Sequence, residues 1–131
     1  MAKTSVSKKI AVRRKPSARL PRSIIGAVHA VQEKKAVDVV VLDLRKAGGF
    51  TDYFVICTGT SDRQVRAIAK DIDEQLGKRG VQPVHIEGMQ DATWVLLDYG
   101  SVIVHVFDPA TRDYYRLEKL WAEAPRVLVI Q

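Results

Sequence analysis

The side chains of this 131-residue chain that could do chemistry fall at a few separated places. Gly59-Thr60-Ser61 stands where an apolar run gives way to helical spacing, and the free amides at a helix start favour an anion such as a phosphate. A single glycine, with no P-loop lysine and no further glycine in register, is a weak cradle, so a capped structural turn is the better reading. Asp71 and Asp73 sit on the helix that follows, about 200° apart around its axis, and cannot close on one magnesium ion. His85 and Glu87 alternate onto one strand face and would hold a metal only with a third ligand, which nothing nearby supplies. Cys57, the single cysteine, lies mid-strand and reads as a buried thiol. Ser61 lacks a G-x-S-x-G frame and a base, and His29 sits in a helix without a partner, so nucleophilic catalysis has no support. The expectation is a protein that is not an enzyme, with no catalytic, cofactor or metal site.

The elements that position these residues follow from periodicity. Ile24, Ala27, Val28 and Val31 recur at helical spacing and end in Lys34 and Lys35, where cations suit the helix dipole. Ala36–Leu44 and Tyr53–Thr60 read as two strands, antiparallel because Ala47-Gly48-Gly49 turns the chain between them. Ser61 opens a helix with Gln64 as a capping box and a stripe of Val65, Ile68, Ala69, Ile72 and Leu76, which Gly80 ends. Val84–Glu87 is a short third strand, so Tyr53 to Glu87 makes a parallel crossover. Trp94–Leu97 and Val102–Phe107 form a hairpin expected at a sheet edge or end. Asp108-Pro109 starts a last helix carrying Tyr114, Leu117 and Trp121, Pro125 stops it, and Val127–Ile130 is an apolar tail without an assigned role. The resulting expectation is one α/β domain with a mixed five-stranded sheet flanked by helices.

The hairpin holds more apolar surface than one core needs. Val102, Val104 and Val106 form an aliphatic face for the core, and Ile103, His105 and Phe107 form a mixed face of interface composition, unless His105 is a satisfied histidine under the last helix. A three-residue loop with Gly100 left-handed would put Val95 and Leu97 on the His105 face and Trp94 in the core, and a two-residue turn would reverse that. In both cases Asp98 and Tyr99 are expected at the exposed tip, with Tyr99 a natural interface anchor.

The net charge is +6, but residues 1–22 hold eight cations and no acid, so the rest carries +6 less 8, or −2. Basicity belongs to an N-terminal arm, expected to be disordered and able to touch RNA phosphates nonspecifically. Its Arg-rich, acid-free composition also resembles an organellar transit segment, which Pro16 and Pro21 would interrupt. No apolar run approaches 18 residues, so no transmembrane helix or membrane partner is expected.

Several blocks in order carry a resemblance over about Ser23 to Trp121: Thr58-Gly59-Thr60-Ser61 with Arg63, Gln64 and Val65; Glu87-Gly88; Trp94 through Gly100; Val104-His105-Val106; and Arg112 with Tyr115, Leu117, Glu118, Leu120 and Trp121. On these the chain resembles the ribosomal silencing factors, also called Iojap-like proteins. The resemblance implies a nucleotidyltransferase-like fold without its catalytic carboxylates, a domain over residues 23–131, a homodimer and a bacterial cytoplasmic setting, with an organelle matrix as the other host. It implies binding to the large ribosomal subunit through its protein number fourteen, so that subunit joining is blocked sterically. The family's surface motif falls on Trp94, Leu97, Asp98, Tyr99, Gly100 and His105, and Phe107 joins them from the mixed strand face. The alternative is a nucleotide-binding or nucleotidyl-transferring enzyme using Gly59-Thr60-Ser61.

Overall fold

The computed structural model describes residues 20–130, so the basic arm lies outside the described residues except for its last three. Packing begins at once: Leu20 is already part of the core, and α1 (Arg22–Glu33) buries Ile24, Ala27, Ala30 and Val31 on one side. Strand β1 (Val37–Asp43) runs antiparallel to β2 (Tyr53–Thr58), as the glycine turn requires.

Helix α2 (Asp62–Lys78) starts at Ser61, whose hydroxyl accepts from the Gln64 amide at 3.0 Å. Gln64 reaches back to accept from the Thr60 amide and hydroxyl, and its own amide group donates to the Lys34 and Lys35 carbonyls, tying α2 to the end of α1. The stripe Val65, Ile68, Ala69, Ile72 and Leu76 is wholly buried, and Gly80, at φ +78°, follows the end of the helix.

β3 (His85–Glu87), β4 (Trp94–Asp98), β5 (Val102–Phe107), α3 (Pro109–Tyr115), α4 (Leu117–Leu120) and β6 (Arg126–Ile130) complete the described chain. The strand order is β3-β4-β5-β2-β1-β6. β5 runs parallel to β2 and the other neighbours are antiparallel, so β2 and β3 point the same way and the expected crossover is parallel. Two expectations change. The sheet has six strands, because Val127–Ile130, with Arg126, pairs along β1 and closes an edge that would otherwise stay open. The hairpin is interior, because β5 docks beside β2 while β3 pairs on the outer side of β4.

The two faces of the sheet have different covers. Val39, Val41, Val55, Cys57, Val95, Leu97, Val102, Val104 and Val106 lie beneath α1 and α2. Fully burying one such side chain stabilises by about 1.5–3 kcal/mol, so a one-residue slip that turned this set outward is excluded energetically. Val40, Leu42, Phe54, Ile56, Ile103 and Phe107 line the opposite face, where among the described residues the cover is lighter: Leu117 of α4, Trp121 and Ala124 just after it, and the Phe50 ring pack on them beside the strand residues Trp94 and Leu96.

Candidate functional site

The lightly covered face is built on the β4–β5 hairpin, whose register the structure settles. Tyr99 and Val102 bracket a two-residue turn, with the Tyr99 amide donating to the Val102 carbonyl at 2.8 Å. Gly100 takes the first turn position at φ +86°, which glycine reaches without strain. Asp98 fixes the turn by accepting from the Gly100 amide, and Thr51 donates to the Gly100 carbonyl. Trp94 therefore stands opposite Phe107, Leu96 opposite His105 and Asp98 opposite Ile103. Of the two registers the sequence allows, this is the one that sends Trp94 to the His105 face.

His105 is buried, not part of an exposed patch. Its Nδ1 accepts from the Trp94 indole N–H at 3.0 Å, which puts the ring proton of the neutral imidazole on Nε2. Its ring meets Phe54 edge-on at 4.4 Å and stacks along Phe107 at 6.1 Å. Burial in this aromatic floor pushes its pKa from 6.5 down to about 4. Between those values the unfolded chain binds a proton that the folded chain refuses, so stability is full above about pH 6.5 and falls as pH drops. The loss is up to about 3 kcal/mol. Urea melts across pH 4–7 should show this decline in the native chain, and a flatter profile in His105→Gln; equal slopes would contradict the assignment.

Arg112 holds the α3–α4 segment over the sheet. Its guanidinium makes a fork with Glu118, at 2.6 and 3.2 Å, and Nη1 donates to the Thr58 hydroxyl and the Asp38 carbonyl. Asp38 stands at φ +51° in an irregular stretch of β1, which presents that carbonyl. Because Arg112 and Glu118 are mostly buried, Arg112→Ala should cost about 2–4 kcal/mol by stranding Glu118. Arg112→Lys should recover little, since an ammonium cannot make the fork. A urea midpoint unchanged by either substitution would show that the clamp is not needed.

On this floor lie the accessible side chains. Trp94 is half-buried between Phe107 at 4.9 Å and Tyr115 at 4.8 Å between ring centres. Leu96 is half-buried beside it, while Tyr115, Tyr114 and Phe50 are 51%, 79% and 55% exposed. Phe50 leans on Trp121 and Phe54. His85 and Glu87 follow at the β3 edge, joined at 2.6 Å, with Asp98 3.7 Å from His85.

The expected site residues divide accordingly. Trp94, His105 and Phe107 come together, with Trp94 accessible and the other two beneath it. Asp98 is half-buried at the end of the face. Leu97 is wholly buried on the helix-covered side, because the two-residue turn sends it there with Val104. Tyr99 is not an exposed tip: only 9% of it is accessible, and its hydroxyl donates to Asp73 on α2 at 3.2 Å, anchoring the hairpin. Only Gly100 and Ser101 form the exposed tip. Leu96, Tyr115 and Phe50, accessible on the same face, are not among the expected site residues. Strand alternation read with the correct register would have found Leu96.

The other chemical candidates stay apart. The α2 start is already satisfied by Ser61, Asp62 and Gln64, and a Cβ on Gly59 would press on Val65. The glycine therefore serves close packing. Cys57 is fully buried, its thiol pushed up to about 12 by burial. Among the described residues no group of three His, Cys, Asp or Glu side chains is placed to hold a metal ion.

Fold and face together define a single-domain α/β protein with a mixed sheet, the long helices α1 and α2 on one side and a partly open aromatic surface beside the short α3–α4 segment on the other. The chain belongs to the ribosomal silencing factor family: residues 17–131 match the family model described as ribosomal silencing factor during starvation. It is 48% identical over 99 residues to ribosomal silencing factor RsfS of Bacillus subtilis, covering 76% of this chain and 84% of that protein. It is 36% identical over 97 residues to the mouse mitochondrial assembly of ribosomal large subunit protein 1, covering 72% of this chain and 42% of that protein. A Chromobacterium violaceum crystal structure superposes with a TM-score of 0.77 at 37% identity, covering 80% of this chain and 88% of the other. A second, from Bacillus halodurans, gives 0.71 at 43% identity, covering 79% and 94%.

Proposed function

We propose that this chain binds the large ribosomal subunit through its protein number fourteen and blocks joining of the small subunit by occupying its place. The observation that carries the reading is the open aromatic face: Trp94, Leu96, Tyr115 and Phe50 are accessible above a floor whose polar group, His105, is buried. An accessible cluster of aromatic and aliphatic side chains is what a protein interface core requires. In this reading Trp94 is the anchor, with Leu96 and Tyr115 beside it. His105 and Phe107 set its orientation from below, Asp98 lies at the polar rim, and Leu97, Tyr99 and Gly100 hold the hairpin. Family membership and the names of the relatives support a ribosomal partner. The mechanism is occlusion, which needs no catalytic group, and the setting is the bacterial cytoplasm.

The nucleotide-binding alternative is disfavoured by the α2 start, where the Thr60, Arg63 and Gln64 amides already have side-chain acceptors. Association into a homodimer and nonspecific RNA contact by the N-terminal arm complete the proposal. Co-sedimentation with separated large and small subunits tests it: the protein should pellet with large subunits alone, and equal pelleting with both would reject a specific partner.

A further inference from the structure

Beside the aromatic face, the other side chains of the α3–α4 segment open on a different surface. A cleft of about 610 Å³ is lined by Arg112, Arg116, Lys119 and Arg126, with Asp38 and Asp113 among its acids. Arg112 is committed to Glu118, whereas Arg116 donates from Nε to the Asp113 carbonyl at 3.0 Å and lies 3.9 Å from the exposed Asp113 carboxylate, an ion pair that holds the outer end of its guanidinium weakly. Lys119 and Arg126 have no ion-pair partner among the described residues, and both are exposed. These cations gather in a body whose charge beyond residue 22 is +6 less 8, or −2.

The backbone adds a second observation. Arg116 stands at φ +51° and ψ +55° between α3 and α4, a left-handed position that costs a non-glycine residue roughly 1–2 kcal/mol. A glycine would make the same turn without that cost. What arginine adds there is a guanidinium at the cleft, whose Nε closes back on the Asp113 carbonyl while its outer nitrogens stay exposed.

We propose that this cleft binds phosphate groups of an RNA backbone, as a second contact beside the docking face. The inference rests on the ribosomal reading given above. A guanidinium fork matches phosphate geometry bidentately, and a phosphodiester strand offers anions at regular spacing that several separated cations can use together. An acidic protein segment offers such regular spacing less readily. The contact is sequence-independent, so it positions the protein on the particle, and the aromatic face supplies specificity.

The test compares the full-length native chain with Arg116→Gln/Lys119→Gln/Arg126→Gln, on purified large subunits and on isolated protein number fourteen, over a salt series. Each phosphate contact contributes to the slope of log affinity against log salt, so the variant's slope on subunits should be shallower by about 2–3. Its affinity for subunits near physiological salt should fall about 10- to 100-fold, and its affinity for the isolated protein should not change. The basic arm is common to both chains and cancels in the difference. An unchanged slope on subunits would overturn the proposal, as would an equal loss on the isolated protein, which would assign the cations to a protein contact. Saturable binding of ATP or inorganic phosphate that disappears in the triple variant would replace the RNA backbone by a free phosphate ligand and also overturn it. If the native chain ignores protein number fourteen while the triple variant still flattens the slope on subunits, the docking reading fails and this one stands.

Discussion

Gly88→Ala should destabilise the protein by at least about 3 kcal/mol, although it adds one methyl group at an exposed position. Gly88 lies at φ +89°, and a Cβ there would be driven into the Trp94 carbonyl, which is backbone and cannot swing aside. The loop has little freedom to relax. Its Met89 and Gln90 carbonyls accept from the Arg66 guanidinium at 3.0 and 2.6 Å, and the amide of the fully buried Ala92 donates to the Gly88 carbonyl. A loss of this size is a large fraction of the 5–15 kcal/mol that hold a domain together. Gly77→Ala is the control: it lies inside α2 with nothing within 4 Å of a new Cβ, and should stabilise by about 0.5–1 kcal/mol. Urea midpoints of the two variants should move in opposite directions. A Gly88→Ala chain within about 1 kcal/mol of the native one would show that the loop yields.

Trp94→Ala should weaken binding to the large subunit by about 2–4 kcal/mol, or roughly 30- to 1000-fold, the range of a central interface aromatic. The indole is held on both sides, by Phe107 below and Tyr115 beside it, and its N–H is fixed on His105, so it meets a partner with little rotamer entropy left to lose. Truncation removes the anchor and leaves His105 Nδ1 without its donor. Trp94→Phe keeps a ring but not the N–H and should lie between the two. Leu96→Ala should act in the same direction by about 1–2 kcal/mol, whereas Lys70→Ala, an exposed change on α2 at the opposite face of the sheet, should have no effect. Near-ultraviolet circular dichroism separates loss of binding from loss of fold. A folded Trp94→Ala chain with native affinity would remove this face from consideration.

What could be read from the sequence, and what could not, divides by how local the deciding interaction is. The α2 stripe and its Ser61 cap were legible because every partner lies within a few turns. The two faces of β5 were equally legible, since Val102, Val104 and Val106 differ sharply from Ile103, His105 and Phe107. The register of the hairpin was not. Both loop lengths suit Asp98-Tyr99-Gly100-Ser101, and the observed one brings the Tyr99 hydroxyl to Asp73, on a helix 26 residues earlier. That one choice exchanged Leu97 for Leu96 on the open face and turned Tyr99 from an expected anchor into a buried strut. The role of Arg112 was equally hidden, since its acceptors Asp38 and Thr58 are 74 and 54 residues away. β6 escaped because a short apolar run after Pro125 looks the same whether it pairs with β1 or not.

The occlusion account is tested most directly by subunit joining itself. Separated bacterial large and small subunits are mixed at a magnesium concentration that favours association, and the joined particle is resolved on a sucrose gradient. With the native chain present, the joined peak should shrink as the protein is titrated, free subunits should accumulate, and the protein should travel with the large one. The folded Trp94→Ala/Leu96→Ala chain should leave the joined peak intact at the same concentrations. Equal inhibition by both chains would contradict the account, as would a native chain that migrates with large subunits while joining proceeds undiminished.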